Sequence, residues 1–221
     1  MSAVPKELAK NLRVNFETKV VRIERQAKAW SLWDENENRI DCRLLVITCP
    51  TPQITALLPE FKDHPQIKNV SYRPCLAVLI CRELPFEMEW TAKWMGRESS
   101  VEWICDNQKK GISPLPALTM HFSKNSSEKY FDSPDEEVFR MLEVSLPNLH
   151  RGLNLHRGDF LYRAVHRWRY SQPIGKAIHP PYLYDQTLAP LLMVGDGFSG
   201  GRVEGAIQST LSGLNKWQET Q

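Results

Sequence analysis

Several specialised classes are excluded by what this sequence does not contain. Its 221 residues hold no apolar run near the roughly 20 residues a membrane helix needs, and the best runs, Leu44 to Ile47 and Leu76 to Cys81, are strand-sized. The N-terminus carries Lys6, Glu7 and Lys10 and no apolar segment of a secretory signal. Neither sign of charge dominates: Lys and Arg number 28, Asp and Glu 26, for a net +2. No strong field therefore asks for nucleic acid or an anionic membrane as partner. The six histidines show no H-E-x-x-H or related metal spacing. The five cysteines, Cys42, Cys49, Cys75, Cys81 and Cys105, include no C-x-x-C pair. Several sit in apolar strand-like runs, where Cys behaves as a small hydrophobe, so a reduced, cytoplasmic protein is expected.

What is present reads as one sizeable or two small globular domains, with 42% hydrophobic and 24% charged residues. Met1 to Leu12 reads as a short helix leading into a strand over Arg13 to Glu24, where Val14, Phe16, Val21 and Ile23 follow an apolar pattern. Trp30 to Trp33 and the polar turn Asp34-Glu35-Asn36-Glu37-Asn38 predict a hairpin. Arg43 to Thr48 predicts a buried strand and Gln53 to Leu58 a short helix ended by Pro59. Further strands are expected at Leu76 to Cys81, Val101 to Cys105, Ala117 to Phe122 and Asp159 to Tyr170. Ser133-Pro134-Asp135-Glu136-Glu137 predicts a helix start, with a cap, a proline at the first position and acids that suit the dipole. A short buried strand, Leu191 to Val194, then a glycine-rich turn and a helix over Val203 to Trp217 close the chain. Val203, Ala206, Ile207, Thr210, Leu214 and Trp217 share one face of that helix.

Two segments carry chemistry. Gly195-Asp196-Gly197-Phe198-Ser199-Gly200 matches G-x-G-x-x-G between a strand and a helix. It cannot open a dinucleotide-binding unit, because such a unit needs a second strand with an acid about 20 residues on. It can present unpaired helix N–H groups to a ligand carbonyl or anion, with Asp196 accepting from ligand hydroxyls. A plain strand-to-helix turn with Asp196 as cap is the alternative. The second segment, Phe160 to Tyr170, separates by alternation into Phe160, Tyr162, Ala164, His166, Trp168 and Tyr170 on one face and Leu161, Arg163, Val165, Arg167 and Arg169 on the other. The aromatic side reads as a substrate wall or a core face, and the arginine side as a phosphate site or a solvated face.

Leu192-Met193-Val194-Gly195-Asp196-Gly197 with Gly201-Arg202-Val203-Glu204-Gly205-Ala206 resembles the C-terminal flavin motif of amine-oxidase-type flavoproteins. His166-Arg167-Trp168-Arg169-Tyr170-Ser171-Gln172-Pro173 resembles a signature of their renalase-like branch, and Trp103, Asn107 and Lys110-Gly111 echo its substrate domain. Where the family continues with Ser-Gly, this chain has Ser209-Thr210, with a glycine at Gly213. Thr18 to Ile23 and Leu45 to Pro50 resemble cofactor-side strands. The resemblance implies FAD as cofactor, Asp196 on the ribityl chain, backbone N–H groups of Arg202, Val203 and Glu204 toward the flavin, Gly195 and Gly197 for close approach, and Val20 against the adenine. Tyr162, His166, Trp168 and Tyr170 become candidate pocket residues for a small-molecule substrate.

The implied fold is α/β (α+β): a partial FAD/NAD(P)-binding Rossmann-like domain with an inserted mixed or antiparallel-sheet substrate domain. Residues 1–70 and 186–221 would form the former and 71–185 the latter. The implied activity is hydride transfer from an amine or a reduced nicotinamide to flavin, with reoxidation by O2. The N-terminal G-x-G-x-x-G unit of the family has no counterpart before Val14. Weak FAD binding by this chain alone is therefore expected, with sheet edges for an N-terminal segment or a second chain to cover. The alternative function is a non-catalytic binding or assembly fragment of such a flavoprotein.

Overall fold

The polar breaks read from the sequence fall between the elements of the computed structural model, which describes residues 3–149, 153 and 160–220. In chain order these are α1 (Ala3–Leu8), β1 (Val20–Arg25), β2 (Trp30–Asp34), β3 (Arg39–Cys42), β4 (Leu45–Ile47), α2 (Thr51–Leu57), β5 (Ser71–Arg82), β6 (Ala92–Trp94), β7 (Val101–Asp106), β8 (Ala117–Phe122), α3 (Lys124–Tyr130), α4 (Asp135–Leu149), β9 (Phe160–Ile174), β10 (Leu183–Asp185), β11 (Leu191–Met193) and α5 (Arg202–Gln218). They form two compact units, Met1–Val70 with Gly175–Gln221, and Ser71–Ile174. Residues 175–185 belong with the first unit, since β10 lies beside β11.

In the first unit, β1, β2 and β3 make an antiparallel meander. Its tight turn is fixed by Asp34, whose carboxylate accepts from the N–H groups of Asn36 and Asn38 and from Asn38 Nδ2, each at 2.9 Å. Side-chain-to-backbone bonds of this kind are why Asp and Asn favour turns. A second sheet runs β10-β11-β4, antiparallel and then parallel. Trp30, fully buried, donates its Nε1–H to Pro190 O at 2.8 Å. Arg25 binds Asp185 at 2.7 Å and the Ala189 carbonyl. These bonds tie the meander to the β10–β11 connection over a core that includes Ile47, Ile54, Leu58, Leu191 and Phe198. The strand expected from Arg13 begins only at Val20, and Val14 and Phe16 are exposed.

The helix α5 departs most from its sequence pattern. Its buried residues are Gly205, Ser209 and Gly213, while Val203, Ile207 and Leu211 are exposed. A Cβ added at Gly213 would stand 2.8 Å from both Leu192 Cδ1 and Val194 Cγ1. The helix thus meets β11 along a small-residue face, at a separation no apolar side chain would permit. Gly213 supplies the close packing one turn beyond Ser209.

The second unit is a five-stranded antiparallel sheet in the order β6-β7-β8-β5-β9. One face carries Leu76, Val78, Ile80, Leu118, Met120 and Phe122 into a core with Val138, Leu142 and Leu146 of α4. This core accounts for the alternation in β5 and β8. Two elements here, β6 and α3, had no clear sequence signal, and Asp159, expected to open β9, lies outside the described residues.

Two of the three arginines of β9 are bound, while Arg169 stays 61% exposed, 3.6 Å from Asp132. Arg163 pairs with Glu136 at 2.5 Å and Arg167 with Asp135 at 2.7 Å. Arg167 also donates to the carbonyls of Phe131 and Ser133 at 2.9 and 2.6 Å. The acids that suit the α4 dipole thus also hold the edge strand.

Candidate functional site

In the first unit the parallel strands β4 and β11 end together, with Val194 N–H donating to Ile47 O at 3.0 Å. Ligands of open α/β sheets bind beyond such carboxyl ends. Gly195 follows with φ +146°, and a Cβ there would lie 3.3 Å from the Thr48 carbonyl oxygen. Its N–H donates to Ser209 Oγ at 2.9 Å, and that hydroxyl donates to Pro181 O at 2.6 Å. Ser209 therefore clamps the turn to the middle of α5. Asp196–Phe198 forms one turn of 3-10 helix. Gly201 N–H closes back onto Asp196 O at 2.9 Å.

Three consecutive residues, Gly200, Gly201 and Arg202, then have positive φ of 75°, 97° and 68°. For Arg202 this left-handed conformation costs free energy, as is common where backbone is held for a ligand. The 17-residue α5 starts here with no side-chain cap. Its first N–H groups, on Arg202, Val203 and Glu204, sit on exposed residues and carry the positive end of the helix dipole. Asp196 stands beside them, half-buried. Burial pushes its carboxyl upward, and the N–H of Gly197 pulls partly the other way. Ser199 Oγ is buried without a hydrogen-bond partner. Uncapped donors, an orphaned hydroxyl and a desolvated carboxylate suit a flat electron-rich ring with an attached polyol, so the residues fit a flavin.

Val20 lies at the start of β1 on an apolar cavity of about 580 Å³. The cavity is lined also by Leu32, Leu45, Ile47, Thr48 and Leu57. Thr48 thus joins Val20's cavity to Gly195. On the other side of this cavity β4 is the edge of its sheet among the described residues.

In the second unit the sheet face opposite the core carries the aromatic candidates. Tyr162, His166 and Trp168 pair with Cys81, Ala77 and Cys75 and share their face. Tyr162 and Trp168 are 55% and 59% exposed, which makes this face a surface wall and not a core. Tyr170 leaves the alternation because the register shifts between Arg73 and Cys75, and it packs edge-on against Tyr72 at 5.7 Å. Phe160 lies beyond a second shift and packs against the core. The wall also contains His121, which the sequence reading missed. It stacks on Trp103 at 4.8 Å between ring centroids. Burial lowers its pKa, against the opposing field of Glu102 and with that of Arg73. Glu102 is held by Arg73 at 3.0 Å.

Among the described residues no helix is long and apolar enough to cross a membrane, and no group of His, Cys, Asp and Glu is placed to hold a metal ion.

Residues 1–212 match the family model of the flavin-containing amine oxidoreductases. Among solved structures, a provisionally named protoporphyrinogen oxidase from Exiguobacterium sp. 255-15 superposes with a TM-score of 0.75 at 15% identity, over 100% of this chain and 51% of its own. A double and a triple mutant of putrescine oxidase, made to redesign cofactor binding, give TM-scores of 0.66 and 0.64 at 13% and 11% identity, each over 98% of this chain and 51% of theirs. At these identities the superpositions establish the fold alone, a mixed α/β structure with antiparallel sheets, and the chain spans about half the length of these relatives. With the family match covering nearly its whole length, the chain belongs to the flavin-containing amine oxidoreductase family.

Proposed function

We propose that this chain is part of an FAD-dependent oxidoreductase of the renalase-like branch, acting on an amine or a reduced nicotinamide. The observation that carries the proposal is the start of α5. There a strained glycine turn delivers an uncapped helix N-terminus beside the half-buried Asp196 and the orphaned Ser199 hydroxyl. Asp196 and the start of α5 would hold the flavin, which would supply hydride-accepting chemistry with O2 as the reoxidant. Asp196 would accept hydrogen bonds from the ribityl hydroxyls. The N–H groups of Arg202, Val203 and Glu204 would stabilise negative charge on the ring edge that faces them. Gly195, where a Cβ would meet the Thr48 carbonyl oxygen, and Gly197 would complete the turn that holds the flavin. Tyr162, His166 and Trp168 would orient the substrate.

On this reading residues 1–70 and 175–221 belong to a Rossmann-like FAD domain and 71–174 to the substrate domain. The open edge of β4, with the apolar cavity beside Val20, is then the place for a strand carrying the pyrophosphate-binding G-x-G-x-x-G. That strand would come from further polypeptide or a second chain.

The test is the visible spectrum of the purified protein during titration with FAD. Saturable binding with a shifted flavin band is expected, weakened roughly 10- to 100-fold by Asp196→Ala through loss of charged hydrogen bonds worth roughly 1.5–3 kcal/mol. A protein that never acquires the band, or an Asp196→Ala variant that binds FAD equally well, would overturn the proposal. The first result would favour a non-catalytic assembly role.

A further inference from the structure

The register of the five-stranded sheet sorts its open face into rows that cross the strands. One row runs Trp94, Trp103, His121, Ala77 and His166. The next runs Ala92, Cys105, Thr119, Leu79 and Ala164. A third holds Ala117, Cys81 and Tyr162. Directly paired residues share a face, so the first row is a ridge of rings and imidazoles interrupted by Ala77. The second is a floor of small and medium side chains, and Tyr162 rises at its far side on β9. Strands are about 4.8 Å apart and residues about 3.4 Å along a strand. Cys105 is fully buried and closes the row at β7, so the face contains a trough about 10 Å long from Thr119 to Ala164, with a notch at Ala77 between two histidines.

No Lys, Arg, Asp or Glu occupies a row position. Glu102 is paired with Arg73 behind His121, and Lys110 stands over Trp103, 5.9 Å from its ring centroid. No row position of the trough is a carboxylate, and the nearby Glu102 is already engaged by Arg73. The polar groups offered are hydrogen-bonding ones. Asn107 Nδ2 donates to Thr119 Oγ1 at 2.8 Å, which leaves the threonine hydroxyl hydrogen to donate to a ligand. His121 lies two residues along the same strand, its burial favouring the neutral imidazole. His166 faces it across Ala77.

We propose that this trough binds a flat, uncharged heteroaromatic ring with a hydrogen-bonding edge, and that His121 and Thr119 are the specificity-determining contacts for that edge. The ring lies over Leu79 and Ala164, flanked by the ridge, with its polar edge toward Thr119 and His121. Resting on the reading of this face as a substrate wall, the inference selects ring substrates over aliphatic amines. Burial, the field of Glu102 on β7 and that of Arg73 on β5 set the protonation of His121.

The test is NMR of the full chain with 13C-labelled histidine, titrated with 2-quinolone, a flat neutral ring with an amide edge, and separately with putrescine. Saturable shifts of the His121 and His166 signals are expected with 2-quinolone and not with putrescine. Leu79→Trp, which fills the trough, should abolish the response, and His121→Leu should weaken binding at least fivefold as read from His166. A melting curve of each variant identifies any that fails to fold, and Ala164→Trp then replaces it as the trough-filling variant. Signals unmoved by 2-quinolone, equal shifts with putrescine, or full shifts in a folded trough-filled variant would each overturn the proposal. The FAD spectrum of the same sample reads the flavin site separately. Flavin binding without a histidine response defeats this inference alone, and a histidine response without flavin binding defeats the flavin reading alone.

Discussion

Replacing Gly213 with alanine sets two effects of opposite sign against each other on one helix. Alanine in a helix interior is favoured over glycine by about 1 kcal/mol, so on an exposed face the change would stabilise. At Gly213 the added methyl would meet Leu192 Cδ1 and Val194 Cγ1 at 2.8 Å and Tyr182 Cβ at 3.3 Å. Leu192 and Val194 are fully buried, and valine is stiff about its first side-chain torsion, so neither yields without disturbing β11. Overpacking of this kind costs about 1–3 kcal/mol. With two tight contacts to buried neighbours the upper end applies, leaving a net loss of about 2 kcal/mol after the gain in propensity. For a chain of this size that lowers Tm by roughly 4–8 °C. Thermal melts of Gly213→Ala beside Gln208→Ala, on the exposed side of the same helix, make the comparison. Gln208→Ala should melt within about 1 °C of the parent, as surface substitutions usually do. A Gly213→Ala variant as stable as the parent would refute the close approach of α5 to β11, and with it the placement of the Gly195 turn.

Three further outcomes follow from the same geometry. Ser209→Ala removes the acceptor of the Gly195 N–H and a donor to Pro181 O, and should cost about 1–3 kcal/mol in denaturant unfolding. Asp185 lies between competing effects: burial alone would raise its pKa, but hydrogen bonds from Arg25 and Thr187 bring it down to about 2. A depressed carboxylate contributes stability above its unfolded pKa and loses it as pH falls through the folded value. Its contribution, at most about 2.5 kcal/mol, should therefore fade between about pH 4 and pH 2, and Asp185→Asn should flatten the acid limb of the stability curve. Asp196 has the opposite sign. Its raised pKa means the ionised form is disfavoured by the fold, with stability lost as pH rises through the folded value. Asp196→Asn should then raise Tm at neutral pH while weakening FAD binding; a fall in both would contradict a carboxylate kept for a ligand.

Local pattern made much of this fold legible. Asp34 to Asn38 announced the hairpin because its turn chemistry is contained within five residues, and Gly195 to Gly201 announced a strand-to-helix turn for the same reason. The buried face of α5 was not legible from hydrophobicity. The stripe of Val203, Ile207 and Leu211 is the more apolar one, but contact with β11 is decided by size, and Gly205, Ser209 and Gly213 win. The arginines of β9 alternate as a solvated face would; their acidic partners lie about 30 residues earlier, on and before α4. His121 and Thr119 alternate visibly within one strand, but the trough they line exists only through the pairing of β5, β7, β8 and β9, which sequence spacing does not encode. The register shifts that remove Phe160 and Tyr170 from the aromatic row are equally non-local.

Amide hydrogen exchange with and without saturating FAD tests the central claim most directly, because it reads the backbone donors themselves. The account predicts slowed exchange at Gly197 and at Arg202, Val203 and Glu204, where α5 begins without a cap. Unchanged exchange at those four amides in the presence of bound FAD would contradict it.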